Sequence, residues 1–174
     1  MKLTADLVRQ MYDYDPLTGR FTWKVQRGRA RAGDPTGYIA KNRSGYKWVT
    51  IGLMGKNWPA HRLAWLHHYG SLPIGEIDHL NQDATDNRIH NLRDTIRSVN
   101  SKNQHMKSTN TSGVTGVYWE ERTKRWRAEV KVNGVKNRLG RFENIHDAAE
   151  AVIAFRNCMG FTALHGVEKR LQEA

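Results

Sequence analysis

The chain has 174 residues, enough for one ordinary domain or two small ones, and its 28 Lys and Arg against 17 Asp and Glu leave a charge of +11. A mean hydropathy of -0.73 and the lack of a long apolar run argue against a membrane segment or secretory signal, and a single cysteine, Cys158, excludes an internal disulfide or a cysteine-built structural zinc. Six Trp and six Tyr argue against disorder, so the surplus charge points to a folded cytoplasmic protein with a polyanionic partner, nucleic acid first.

The charge is uneven. Residues 20–56 carry nine Lys/Arg and one acid, residues 104–141 nine and three, and residues 142–174 three and five. Two basic blocks therefore flank a mixed centre, and an acidic helix follows.

In chain order, Thr4 predicts a helix cap, with Leu3 and Val8 as a hydrophobic staple and the helix running to about Tyr12. Residues 15–19 (DPLTG) read as a turn, 21–25 as a strand and 26–33 as a basic loop. Residues 46–53 read as a strand, 55–57 as a turn, and Pro59 as the first position of a helix through Tyr69 that Gly70 and Pro73 stop. Residues 108–113 (STNTSG) are small and polar and predict a linker.

Beyond it, 114–119 read as a strand. In 125–132, Trp126, Ala128, Val130 and Val132 alternate with Arg125, Arg127, Glu129 and Lys131. Asn133-Gly134 predicts a tight hairpin, and Val135, Asn137 and Leu139 alternate with Lys136 and Arg138 in the next strand. Asn144 predicts a helix cap, and Ile145, Ala148, Ala149, Val152 and Ile153 an apolar stripe that Gly160 ends, with Cys158 expected as a small buried hydrophobe. The expectation is a three-stranded antiparallel sheet packed on one helix. Its outer face, with Arg125, Arg127, Lys131, Lys136 and Arg138, suits duplex DNA.

The centre holds Asp78-His79, then Asn87, Asn91, Asn100 and Asn103. Phosphodiester hydrolysis needs an activated water and charge stabilisation at phosphorus. Asp78 and Asn100 offer hard oxygens for Mg²⁺ or Mn²⁺, and His79 titrates near neutrality. On a regular strand Asp78 and His79 point to opposite faces, so a loop or bulge has to bring both to one site.

Two resemblances sharpen this reading. Residues 58–103, through Ala60-His61-Arg62-Leu63-Ala64-Trp65, Ile77-Asp78-His79, Asp86-Asn87-Arg88, Asn91-Leu92-Arg93, Asn100 and Asn103, resemble the HNH homing-type endonucleases of phages and introns. The resemblance implies a ββα-metal unit in which His79 is the general base and Asp78 and Asn100 hold one divalent ion, Mg²⁺ first and Mn²⁺ second. It makes Asn91 the residue that holds the His79 loop, ranks Asn103 below Asn100, and makes residues 92–95 a strand where local pattern reads helix.

The motifs at 112–119, 125–130 and 139–142 and the Ala-rich helix resemble the plant ethylene-response-factor DNA-binding domain, a version of which recurs in mobile-element nucleases. That likeness implies major-groove contacts from Glu129, Lys131, Lys136 and Arg138. Tyr118 and Glu120 depart from it, standing where the plant domains carry arginines.

The expected whole is an α+β, two-module enzyme. Residues 1–57 form a basic supporting region, 58–107 the HNH core, 108–113 the linker, 114–165 the reading domain and 166–174 a tail. It nicks double-stranded DNA, monomeric by default, with a divalent metal, no membrane and no small-molecule cofactor. The alternative is a DNA-binding regulator with an inert nuclease relic.

Overall fold

The computed structural model describes residues 2–166, so apart from Gly166 the predicted tail lies outside the described residues. The architecture is mixed α and β, with several small antiparallel sheets. It divides into two compact units, Met1–Ile96 and Arg97–Ala174. Residues 97–113, the predicted linker among them, therefore fold with the second unit.

In the first unit, Thr4 caps α1 (Ala5–Met11) by accepting from the Leu7 amide at 3.3 Å. α1 runs directly into β1 (Tyr12–Asp15), which pairs antiparallel with β2 (Arg20–Trp23), and β3 (Pro35–Thr36) adds to the far side of β2. The 15–19 turn forms as expected, with the Asp15 carboxylate accepting from the Leu17 amide and the Thr18 hydroxyl. Gly19 closes it at φ +72°, and a Cβ there would lie 2.5 Å from the backbone of Asn87 and Arg88, so only glycine fits.

β4 (Tyr38–Lys41), β5 (Lys47–Leu53) and β6 (Lys56–Pro59) form a meander. β6 occupies the residues read as a turn from sequence; the turn itself falls on Met54 and Gly55, both at positive φ. Pro59 ends β6 and caps α2 (Ala60–Tyr69), which stops at left-handed Gly70. Val8, Tyr12, Phe21, Ile51, Leu53 and Leu63 are the centre of one core joining α1, the first hairpin, β5 and α2. Burying each contributes about 1.5–3 kcal/mol, enough to fix α2 as a platform. β7 (Glu76–His79) and β8 (Leu92–Thr95) pair antiparallel, and a 3₁₀ turn (Ile89–Asn91) leads into β8. The strand assignment for 92–95 thus prevails over the local helical spacing.

The second unit opens with a single turn, α3 (Arg97–Asn100). β9 (Val117–Glu120), β10 (Arg125–Val132) and β11 (Val135–Phe142) form an antiparallel sheet of order β11-β10-β9, and α4 (Ile145–Cys158) packs on it. β9 starts later than the sequence pattern predicts because Gly116, at φ +92°, turns the chain where a Cβ would meet the Glu129 carbonyl at 2.7 Å. The register shifts between Ala128 and Glu129, so the simple alternation read along β11 breaks after Arg138. Val117, Ala128, Val130, Ala148 and Val152 form the core. Asn144 caps α4 through the Asp147 amide, as predicted. Two expectations fail: Ile153 is 53 % exposed, and Cys158, on the last turn of α4, is exposed.

Candidate active site

β7 ends at His79, and both Asp78 and His79 are buried, 5 % and 7 % exposed. Both lie in regular register in the β7–β8 ladder, Asp78 opposite Arg93 and His79 opposite Leu92, so the bulge expected between them is not formed, and the chain leaves the strand after His79. The Leu80 amide donates to the Asn91 carbonyl at 2.9 Å, and the Gln82 amide to the His79 carbonyl, with Gln82 at positive φ. Across the ladder Asp78 faces Arg93, whose guanidinium holds the Asp78 carboxylate at 2.5 Å. That pairing fixes the orientation of a buried carboxylate.

The loop after His79 is tied by amide side chains. Asn91 donates to Asn81 Oδ1 and to the Asp86 carbonyl, both at 2.9 Å, and accepts from the Asn81 amide at 3.0 Å. Asn81 in turn donates to Asp86, which takes a forked contact from Arg88. That contact pulls the Asp86 carboxyl below its usual range. Tyr14, from the first hairpin, donates to the Asn87 carbonyl at 2.7 Å, and the Ile89 amide donates to the Pro16 carbonyl. The first hairpin therefore carries one side of the site, a role that sequence reading gave only to a generic supporting region.

Burial drives the His79 imidazole below its ordinary value; the Asn87 carboxamide and the carboxylates of Asp78, Asp83 and Asp86 oppose that shift. His79 is thus a neutral imidazole near pH 7. His61 on α2 lies edge-on to it, ring centroids 5.1 Å apart and planes at 88°. Burial, with His79 and Arg62 beside it, pulls His61 down to about 3, so it too is neutral. Burial raises the Tyr46 phenol, and the carboxylates of Asp78 and Asp83 add to that shift. Tyr46, Asn87 and Arg93 are neighbours that the motif alone did not single out as site residues. Arg93 was findable, since register puts it opposite Asp78; Tyr46 carries no local signal.

The predicted ligand Asn100 lies on α3 in the second unit. The alternative ligand, Asn103, is buried with its carboxamide oxygen accepting from Thr162 at 2.8 Å, a contact within that unit. Among the described residues no group of three or more His, Cys, Asp or Glu could hold a metal. A site built from one carboxylate and carboxamides does not form such a group.

Residues 59–102 match the HNH endonuclease family. The HNH segment spans α2, β7, β8 and α3 and contains Asp78, His79, Asn91 and Asn100. A stretch of 75 residues is 32 % identical to "Protein 3.8" of Escherichia phage T7, covering 42 % of this chain and 62 % of that protein. The chain thus spans less than two thirds of the relative's length. No solved structure matches. Among the described residues, no helix is long and apolar enough to cross a membrane.

In the second unit the predicted reading face is less uniformly positive than the sequence implied. Arg125 pairs with Glu143 at 3.2 Å, and Arg127 lies 3.5 Å from Glu129 and 4.0 Å from Glu120. Arg141 takes Glu120 at 2.5 Å. Lys131, Lys136 and Arg138 are in no ion pair among the described residues. Acids from neighbouring strands and the helix approach thus occupy two of the six predicted DNA contacts, and Glu129 is itself one of those acids.

Proposed function

We propose that the protein is a metal-dependent DNA endonuclease of the HNH type that nicks one strand, directed to duplex DNA by the sheet of its second unit. The observation that carries this reading is the buried His79, its imidazole pulled below its ordinary value, beside an Asp78 held by Arg93, inside the HNH segment.

His79 takes the proton from the attacking water, a task that needs an imidazole already neutral at working pH. Asn91 holds the loop after His79 and so sets where the imidazole stands. Arg93 orients the Asp78 carboxylate. Asp78 and Asn100 would supply hard oxygens of the kind that suit Mg²⁺, with Mn²⁺ the nearest substitute. When bound, such an ion supplies positive charge that stabilises the transition state at phosphorus. The basic block of residues 20–56 meets the backbone beside the cut, and Lys131, Lys136 and Arg138 carry the sheet's contacts. One site per chain makes a nick the product of a single event.

A plasmid assay with Mg²⁺, with EDTA and with His79→Ala tests the reading. Conversion of supercoiled to nicked DNA is expected only with metal and only with His79 present. Equal cutting by His79→Ala would remove His79 from the mechanism. Duplex binding without any cutting, on plasmid and on DNA from the protein's source, would make the protein a DNA-binding regulator with an inert nuclease relic.

A further inference from the structure

The second unit contains a cleft of 790 Å³ that shares Glu129, Lys131 and Lys136 with the reading face and is otherwise lined by residues that no reading above uses. It is bounded on one side by the reading sheet and on the other by α3 and the segment that follows it. Its walls carry Arg97, Lys107, Lys131, Lys136 and Arg156. Its one acid, Glu129, is engaged by Arg127.

Three features make this more than a wet basic surface. Lys131 and Lys136 are direct cross-strand partners, and like charges in register destabilise a sheet. Arg156 is half-buried with its Nη2 donating to the Thr115 carbonyl at 2.7 Å and its guanidinium over the Phe161 ring, yet it has no carboxylate partner among the described residues. Its Nε is a buried donor with no acceptor there. Each arrangement costs free energy that an anion in the cleft would offset. Ser98 and Asn110 add neutral donors along the same wall, the mix that phosphate oxygens accept.

We propose that this cleft is a track for the phosphate backbone of one DNA strand, running from the reading sheet to α3. The proposal rests on the DNA-nuclease reading and deepens it. Residues 97–110 become part of the DNA-binding surface, and the helix turn that bears Asn100 is itself held against the bound strand. The pairing of residues 102–104 with the chain near 162–166 keeps that wall in place: Thr162 and Gly166 amides donate to the Lys102 and Gln104 carbonyls.

The test is fluorescence anisotropy of labelled duplex DNA with the full chain over a salt series. Arg97→Gln/Lys107→Gln removes two exposed cations that make no ion pair, so the fold is not at stake. The expected result is roughly tenfold weaker binding and a salt slope smaller by about 2. The control Arg122→Gln/Lys124→Gln makes the same change in net charge outside the cleft and is expected to leave the slope nearly unchanged. Equal losses in both double variants, or no loss in the first, would overturn the track. If Lys136→Gln weakens binding while Arg97→Gln/Lys107→Gln does not, the track fails and the sheet reading stands. If the native chain binds no duplex at all, that reading fails with it. A loss confined to an RNA hairpin probe would overturn the DNA assignment in favour of RNA.

Discussion

Asp78 and Lys131 are both charged side chains on antiparallel strands of a basic protein, and their surroundings differ. Asp78 is 5 % exposed, locked to Arg93 across the ladder, and followed by a loop tied by asparagine side chains. Lys131 is exposed, faces another lysine and pairs with no acid. A group that does chemistry must be held still and shielded, and burial with dedicated partners achieves that. A group that meets a polyanion gains by staying solvated, long and unpaired until the partner arrives. On the proposed reading, the first unit is built around position and the second around availability.

The largest effect should separate the two outright. His79→Ala is expected to lower the cutting rate by about 10²-fold or more with duplex affinity unchanged, in parallel single-turnover and binding assays. Lys131→Gln/Lys136→Gln should do the reverse, weakening binding with cutting preserved at saturating protein. If both variants lose both activities, the division of labour is wrong.

Next in size is Asn91→Ala. It removes a buried carboxamide that makes three hydrogen bonds, and the first unit should lose about 2 kcal/mol in denaturant unfolding. A loss under a quarter of that would mean the loop is held by its backbone alone.

Acid sharpens the comparison further. His61 has a folded value of about 3 against 6.5 unfolded, and His165 in the second unit about 4 against 6.5. Between those values the unfolded chain binds the extra proton, so the contribution is full above 6.5 and fades as pH falls through the window. Thermal melts taken downward from neutral pH should show falling stability, and His61→Phe should flatten the part that belongs to the first unit. An unchanged profile in His61→Phe would place the acid sensitivity elsewhere.

The smallest effect is the most diagnostic for the sheet. Arg125→Gln should weaken duplex binding only slightly, since Glu143 already offsets that charge, and less than Lys136→Gln does. Equal losses would show that the ion pair opens on binding.

Much of this was legible in the sequence. The strict alternation of residues 125–132, the Asn133-Gly134 turn and the Asn144 cap are local signals, and each sits where its physics puts it. Asp78, His79 and Asn91 were singled out by motif, and they lie at one end of the β7–β8 ladder. What was missed is non-local. Tyr14, Gly19 and Tyr46 reach the site from elements far away in sequence, and no periodicity marks a residue that serves another segment. The acids that temper the reading face were in plain view, but Glu120 and Glu143 meet Arg141 and Arg125 only once register and the helix approach are fixed. Ile153 was misplaced because it turns off the face that buries Ala148 and Val152, and Cys158 because it lies on the last turn of the helix.

The contact between the first hairpin and the loop after His79 bears on how the protein is made. Tyr14 and Asn87 are 73 residues apart, and Gly19 rests on the backbone of Asn87 and Arg88. On the ribosome the hairpin emerges early and the loop much later, so the loop closes onto a surface already waiting for it. Closing so distant a contact is slow compared with forming either piece. Closure of the loop after His79 is therefore a late event in the making of the first unit, and a chain released short of Asn91 would hold His79 without the hydrogen bonds that tie that loop.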